Sequence, residues 1–419
     1  MESRVIVGVT DASKWIPREA LQIIPKAVFV LTGIVLSLNP FPHATSIREA
    51  SYYLALALAT AHIVKQRDWS FLRSGFTLPV ALFTFWAFVS LFGALDLETS
   101  IHDFRSHLLE YIGLFILIVA FCNTAERLQV LMWVVVVSVT ISSAGQLYGF
   151  YIGGDRALLL RLLPEDPQYP VGPVGFMALH ASIFALTLFQ VVRRPLSRTI
   201  LVVCLLVLLA TAVAVQTRGL VVAAPLVFVA FFWDNKKLLV ISLAAGMVLG
   251  AFTIGKLRGN PLEVDYRPRL TFAYVSYLLI REHPVKGIGF GISTFSNPKA
   301  IDIEAYRARV PLRFRHPTAA ISSSHSMWVG ILVRTGLVGG GLFIWIMLKA
   351  ALMTREVIHK ADAEWRRLYG RASAGALVLF SVYGLFNVVS VHSLETLLCL
   401  TFAMIAILHG SARSPVSRS

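Results

Sequence analysis

Apolar residues in this chain come in long runs, with polar residues gathered between them. Each run is close to the ~20 residues that cross ~30 Å of hydrocarbon. The pattern predicts twelve spanning helices, over 20–38, 50–65, 76–93, 107–122, 128–150, 172–191, 199–216, 219–233, 238–255, 325–348, 372–391 and 394–409. The fold class is therefore an all-α integral membrane protein, one polytopic unit over 1–419, because a helix pairs its backbone groups within its own segment. An even number of spans puts both termini on one side. Asp11, Pro17 and Glu19 precede the first run and no cleavage-site pattern follows it, so a cleavable signal peptide is not expected.

Composition agrees. Of 419 residues, 56% are hydrophobic and 15% charged, with a mean hydropathy of +0.71, whereas a soluble domain carries roughly a quarter charged residues. The net charge of +15 raises nucleic acid as a partner. The cations are dispersed between hydrophobic runs, however, and membrane topology accounts for them better. With the N-terminus in the cytoplasm, the cytoplasmic segments collect twenty Lys and Arg. The short outer loops hold five: Arg48, Arg105, Arg156, Arg161 and Arg218. That asymmetry orients the chain by the positive-inside rule. Cys122, Cys204 and Cys399 lie inside apolar runs and make no disulfide framework. No CxxC, HExxH or Cys/His cluster marks a structural metal.

One segment departs from this plan. Residues 256–324, between spans nine and ten, form the single long loop, on the outer side, with eleven Lys and Arg against five Asp and Glu. Long loops escape the insertion rule, so nothing forbids these charges; alternatively, they form an electropositive surface that concentrates phosphate-bearing substrates. Within the loop, residues 270–280 are apolar and aromatic (Phe272, Tyr274, Tyr277) and long enough for a short helix at the membrane interface.

Where the loop re-enters the membrane stand His325 and Ser326, nine mostly apolar residues, and then Gly336-Leu337-Val338-Gly339. Lipid cannot solvate an imidazole at that depth, so it faces a partner, a cavity or a ligand, and the cations nearby make that ligand an anion. A neutral imidazole with an ordinary pKa of ~6.5 suits the removal of a proton from a sugar hydroxyl. The plainer role is a buried histidine satisfied by the hydroxyls of Ser322, Ser323 and Ser324, which also suit the N-cap of the helix starting here.

Arg218, between Gln216-Thr217 and Gly219-Leu220, joins two spans with almost no loop. It either snorkels at a helix end or clamps a phosphate oxygen. Arg156 and Arg161, among the leucines of 151–171, alternate cation with apolar body as an interfacial segment does. Lys286-Gly287-Ile288-Gly289-Phe290-Gly291 has glycines like those of a phosphate-cradling loop, but no strand–helix context, and a flexible turn is the alternative. His392, on the same outer side, is an auxiliary base by position. Asp302 with Glu304, Glu263 with Asp265, and Asp96 with Glu98 are pairs suited to a divalent cation, but nothing ties them to His325.

These residues match a known pattern. His325-Ser326, nine residues, then Gly336-x-x-Gly339 resembles the H[NSQ]-x9-G-x-x-G signature of bacterial O-antigen ligases, membrane enzymes that attach O-polysaccharide to lipid A–core. Upstream, Thr217-Arg218-Gly219 is similar to the family's Arg-Gly start of a span. Arg269, fourteen residues before His283-Pro284-Val285-Lys286-Gly287-Ile288-Gly289, is similar to its Arg…His-Pro-x-x-Gly-x-Gly segment. The likeness covers roughly residues 200–345 by motif and the whole chain by topology. Ser326 stands where relatives commonly carry Asn, and an aromatic expected near 273 is shifted to Phe272 or Tyr274.

The resemblance implies a C-type glycosyltransferase-like fold of about twelve transmembrane helices, with one large periplasmic loop holding short helices. It implies an inner-membrane enzyme with both termini cytoplasmic and a periplasmic site. The donor is O-polysaccharide on undecaprenyl diphosphate, the acceptor a sugar hydroxyl of lipid A–core, and the anomeric carbon inverts. His325 is then the general base, and Arg218 and Arg269 offset charge on the departing diphosphate. Arg161, Arg267, Arg315 and Arg156 add anion binding, so the reaction needs no metal and no cofactor. The donor's polyprenyl chain lies among the membrane lipids along the spans. O-antigen polymerases and other lipid-linked oligosaccharide transferases share the superfamily; polymerases often carry two large outer loops, and the single one here favours a ligase. A transporter or flippase of lipid-linked sugars would place ionisable residues near the midplane and broken helices in two paired halves, whereas these spans look clean in their centres.

Overall fold

A backbone group left unpaired in hydrocarbon costs several kcal/mol, so each apolar run folds into the conformation that pairs its N–H and C=O groups locally. A computed structural model describes residues 18–157, 160–163, 171–233, 266–317, 321 and 323–413, together with 236, 237, 240 and 244. The helices are α1 (Arg18–Leu38), α2 (Thr45–Gln66), α3 (Thr77–Leu91), α4 (Leu97–Phe104), α5 (Glu110–Phe121), α6 (Ala125–Leu147) and α7 (Val171–Val191). They continue with α8 (Pro195–Ala214), α9 (Arg218–Phe232), α10 (Arg267–Glu282), α11 (Ile303–Ala308), α12 (Met327–Lys360), α13 (Glu364–Phe386) and α14 (His392–Arg413). A π-helical turn, Arg105–Leu109, joins α4 to α5.

No strand occurs among the described residues. Seven helical stretches are long and apolar enough to cross a bilayer: Leu97–Phe121, Ala125–Gly153, Val171–Val191, Pro195–Ala214, Met327–Lys360, Glu364–Phe386 and His392–Gly410. The chain is thus an all-α, multi-pass membrane protein. Ile23–Leu38, Thr77–Leu91 and Arg218–Phe232 are apolar but shorter. Helix α2 covers the expected span 50–65, yet it carries Arg48, Glu49, His62 and Lys65 and is not among the seven. The expected span 238–255 falls, apart from 240 and 244, outside the described residues. So do Lys256, Arg258, Glu263 and Asp265 of the loop, and Ser322.

Helix α12 packs on α3, α13 and α14, α9 lies along α13, and α14 lies on α5. Tyr369, Phe380 and Tyr383 of α13 are fully buried in this core. Other large apolar side chains, among them Val30, Phe85 and Leu206, face outward, as on surfaces that meet acyl chains. The loop has a core of its own. Phe272, Val275 and Leu279 of α10 pack with Ile288, Phe295, Ile301 and Val310, and with Val333 of α12. The helix expected over 270–280 is therefore α10, but its apolar face is turned onto the loop and α12; only Leu270 and Tyr277 leave large apolar surface exposed.

Helix α12 is kinked at Gly336 (φ 68°, ψ −172°). A kink frees backbone groups, and each must find another partner. The carbonyls of Val333 and Arg334 accept from the N–H groups of Ile288 (2.9 Å) and Gly289 (3.2 Å). The Thr335 carbonyl accepts from the Trp86 indole at 2.9 Å, and Leu337 N–H donates to the Pro284 carbonyl at 2.8 Å. Residues 284–289 are a strap seated on the kink. The approach is so close that a Cβ on Gly336 would lie 2.1 Å from the Val285 carbonyl oxygen, and one on Gly287 (φ 70°) 2.4 Å from the Arg334 carbonyl carbon.

Candidate functional site

The glycine-rich segment settles first, because its donors are spoken for. Besides Ile288 and Gly289, Gly291 N–H donates to Ser100 Oγ (3.1 Å) and Ile292 N–H to the Asp103 carboxylate (2.6 Å). These amides hold protein oxygens, so the segment is no cradle for phosphate. It is a turn, and hydrogen bonds join it to α12.

His325 lies just before α12 in a left-handed backbone conformation (φ 51°). That region costs a residue with a Cβ of order 1–3 kcal/mol unless the surroundings impose it. Three contacts impose it here. His325 N–H donates to Ser323 Oγ at 3.3 Å, Ser324 Oγ donates to the Ser326 carbonyl at 2.9 Å, and Ser326 Oγ donates to the Gly384 carbonyl at 3.0 Å. The N-cap of α12 is Ser326, whose hydroxyl accepts from Val329 N–H, and not the preceding serines. The helix begins at Met327, after the left-handed turn, which puts those serines too far upstream. The imidazole is exposed on one side and stacks on Phe272 of α10 on the other, centroids 4.4 Å apart. Of the two aromatics expected near 273, Phe272 is the one that reaches it.

Arg269 lies three residues before Phe272 and so on the same face of α10. Desolvation, and then the positive charge of Arg269, lower the pKa of His325. Desolvation, and then the charge of Arg218, lower that of Arg269. Of the three expected catalytic residues, Arg269 of α10 is thus within electrostatic reach of both His325, in the loop before α12, and Arg218, at the start of α9. Arg218 opens α9 behind a left-handed Gln216 (φ 50°). The positive end of the helix dipole therefore lies at Arg218. Thr217, its N-cap residue, makes no capping bond, and its hydroxyl is buried with no partner among the described residues. The joint between the two segments is the end of α13. Asn387 accepts Met327 N–H on its carbonyl at 3.0 Å, and its amide nitrogen would lie 2.5 Å from a Cβ on Gly219. A side chain after Arg218 would push the Asn387 amide aside.

The other arginines divide. Arg161 Nε donates to the Val215 carbonyl at 3.2 Å, which ties it to the corner three residues before Arg218; burial lowers its pKa. Arg156 lies over the Phe150 ring at 4.5 Å, on the cluster that holds Leu162 and Val215. Arg267 is exposed at the first turn of α10. Arg315 is spent on the loop itself, donating from Nε to Val310 (3.0 Å) and from one NH2 to Ala308 and Val310. Loop cations Arg307 and Arg309 pair with Glu304 (3.1 Å) and Glu282 (2.6 Å). Two of the candidate carboxylates are engaged in the fold: Asp96 caps α4 and accepts from Asn297 (2.6 Å), and Asp302 caps α11. His392 has its ring on His107 and its Nδ1 at Tyr111, and so is already engaged away from Phe272.

Sequence reasoning misses Arg334, although a charge inside an apolar run is itself a signal. It stands in the nine residues between Ser326 and Gly336. Its guanidinium donates to Ser390 Oγ at 3.1 Å and lies over Phe290 at 5.0 Å, with Glu395 and Asp103 supplying negative charge nearby. Neither Arg334 nor Glu395 lies at the centre of its span. Arg334 lies about two turns into α12 and Glu395 one turn into α14, towards the loop-bearing end and not at mid-length. Arg334 and Ser390 line both a small recess of about 30 Å³ beside Ser323 and Ser324 and a cavity of about 160 Å³ walled by Phe76, Phe83, Phe115 and Phe343.

Chemically, the arrangement offers a base whose protonation is disfavoured by desolvation and by Arg269, two guanidiniums without an ion pair to any described carboxylate, and a helix N-terminus. That set can take a proton from a neutral group while binding an anion. No protein-family model matches the chain, and no curated protein matches it.

Proposed function

We propose that this protein is a glycosyltransferase of the O-antigen ligase kind, moving O-polysaccharide from undecaprenyl diphosphate to a sugar hydroxyl of lipid A–core. The observation that carries the proposal is that Arg269 lies within electrostatic reach of both His325 and Arg218, three residues of the sequence signature drawn from separate segments. The full proposal includes twelve spans in the bacterial inner membrane, both termini in the cytoplasm, and the 256–324 loop with its site in the periplasm.

In the reaction, the acceptor hydroxyl gives its proton to His325 as its oxygen attacks the anomeric carbon. The bond from that carbon to the diphosphate oxygen breaks on the opposite face, so the configuration inverts. Undecaprenyl diphosphate leaves carrying the electron pair, and Arg218, Arg269 and the N-terminus of α9 offset the charge it gains. Arg161, Arg156, Arg267 and Arg315 are supporting cations; Arg315 acts by shaping the loop. The leaving group stores the driving force, so no nucleotide is needed.

The test is transfer by the purified protein in proteoliposomes, with lipid-linked donor and lipid A–core. His325→Ala and Arg218→Ala should abolish transfer while the protein elutes as wild type does. Undiminished ligation by His325→Ala overturns the mechanism. Product formed only when a second lipid-linked repeat replaces lipid A–core would make it a polymerase. Donor crossing the bilayer with no new glycosidic bond would make it a transporter.

A further inference from the structure

Two imidazoles and a carboxylate meet where the π-helical turn Arg105–Leu109 faces the start of α14. One ring nitrogen of each of His107 and His392 and one oxygen of Glu395 lie within 4.8 Å of one another. His392 and Glu395 are three residues apart on α14 and so share a face. His107 belongs to the π-helical turn, a kind of bulge that recurs at functional sites.

Hydrogen bonding sets the tautomer of His392. The Tyr111 hydroxyl lies 2.8 Å from His392 Nδ1 and 3.0 Å from the His392 carbonyl. A carbonyl only accepts, so the one phenolic proton goes there, and Nδ1–H must donate to the phenol oxygen. Nε2 is left with its lone pair free, the state a metal requires of a histidine, held by the outer partner that such ligands usually have. His107 Nδ1 reaches Glu395 Oε2 at 2.6 Å, so the second imidazole and the carboxylate are already together. The cavity of about 160 Å³ opens beside His107 and Glu395, with room for water.

We propose that His107, His392 and Glu395 bind one divalent transition-metal ion of the Zn²⁺ class, with water from the adjoining cavity completing the coordination. Two imidazole nitrogens, one carboxylate oxygen and an open position make a donor set that Zn²⁺ takes. The rings stack at 4.3 Å with 21° between their planes. An ion cannot lie in the planes of two parallel rings, so coordination tilts them apart and replaces the His107–Glu395 hydrogen bond. The bound ion then cross-links the α4–α5 turn to α14 next to Arg334. This site is separate from the His325 cluster and does not depend on the proposed transfer reaction.

Full-length protein in detergent, stripped with chelator and then dialysed against Zn²⁺, should retain one ion per chain by mass spectrometry of the metal. Co²⁺ in its place should give the visible d–d bands of a low-coordinate nitrogen and oxygen site. His107→Ala and Glu395→Gln should weaken retention about tenfold or more and abolish the bands, while His102→Ala, at the exposed neighbouring histidine, changes neither. Zinc retention by His107→Ala equal to wild type overturns the site. Should the ligand variants fail to fold, wild type alone decides: less than one ion per chain with no cobalt bands is the overturning result.

Discussion

The imidazole of His325 lies flat on the ring of Phe272, with 24° between the planes, and Arg269 is one turn back on the same face of α10. One helix thus supplies both the surface that orients the ring and a charge that, after desolvation, disfavours its protonation. Phe272→Leu keeps most of the volume and removes the flat face. It should lower kcat for transfer by about 10- to 100-fold, as small misplacements of a catalytic group do, with a stability change below about 1.5 kcal/mol. Steady-state turnover and thermal melting on the same preparation separate the two effects. An unchanged kcat would show the stacking to be incidental.

The pH dependence has a definite sign. Desolvation and the charge of Arg269 both disfavour the imidazolium of His325, so the neutral base persists below the ordinary ~6.5. The acidic limb of kcat/KM should have its midpoint below that value, with activity present above it and lost as pH falls through it. Arg269→Gln removes one of the two causes, and the midpoint of its residual activity should move up. A midpoint that moves down contradicts the assignment.

The kink makes a prediction about glycine. Gly336→Ala puts a side chain at a positive φ and against the Val285 carbonyl. It should cost at least about 1–3 kcal/mol, seen as a lower melting temperature and poor yield in detergent. Gly341→Ala, on the same helix with nothing within 4 Å of the added carbon, should be neutral or stabilise by up to about 1 kcal/mol. Equal behaviour of the two would mean that the strap does not hold the kink.

Arg334 lines two cavities, with the charges of Glu395 and Asp103 nearby. Arg334→Leu removes a nearby positive charge from Glu395 and Asp103 together with the hydrogen bond to Ser390, and should destabilise by about 1–3 kcal/mol. Chemical or thermal unfolding in detergent measures this directly. A loss under about 1 kcal/mol would mean that the carboxylates find another partner.

Much of this was legible in the linear chain, for local reasons. Runs of apolar residues specify helices whatever surrounds them, because hydrocarbon offers the backbone no other partner. The candidate triad was legible too: His325 stands at a boundary where lipid cannot solvate it, and Arg218 and Arg269 sit in spacings that match a signature. Other features had no local sign. Lys286 to Gly291 looked like a phosphate loop because glycine spacing records close approach without saying what approaches; here it is the backbone of α12. Arg334 is a visible charge in an apolar run, but no local pattern named Ser390 and Phe290 as what it would meet. His107 and Glu395 are far apart along the chain, and no spacing rule connects them.

What the sequence by itself determined is therefore the class of the molecule, its helical segments and the residues able to do chemistry, since each follows from the solvent a short stretch can tolerate. Tertiary structure alone decided which of them meet. It stacked Phe272 on His325, closed the 284–289 strap over Gly336, tied Arg315 to its own loop, and brought His107 against Glu395. Each of those contacts depends on how distant helices pack, and packing is set by the shapes of whole surfaces, which no local window of residues contains.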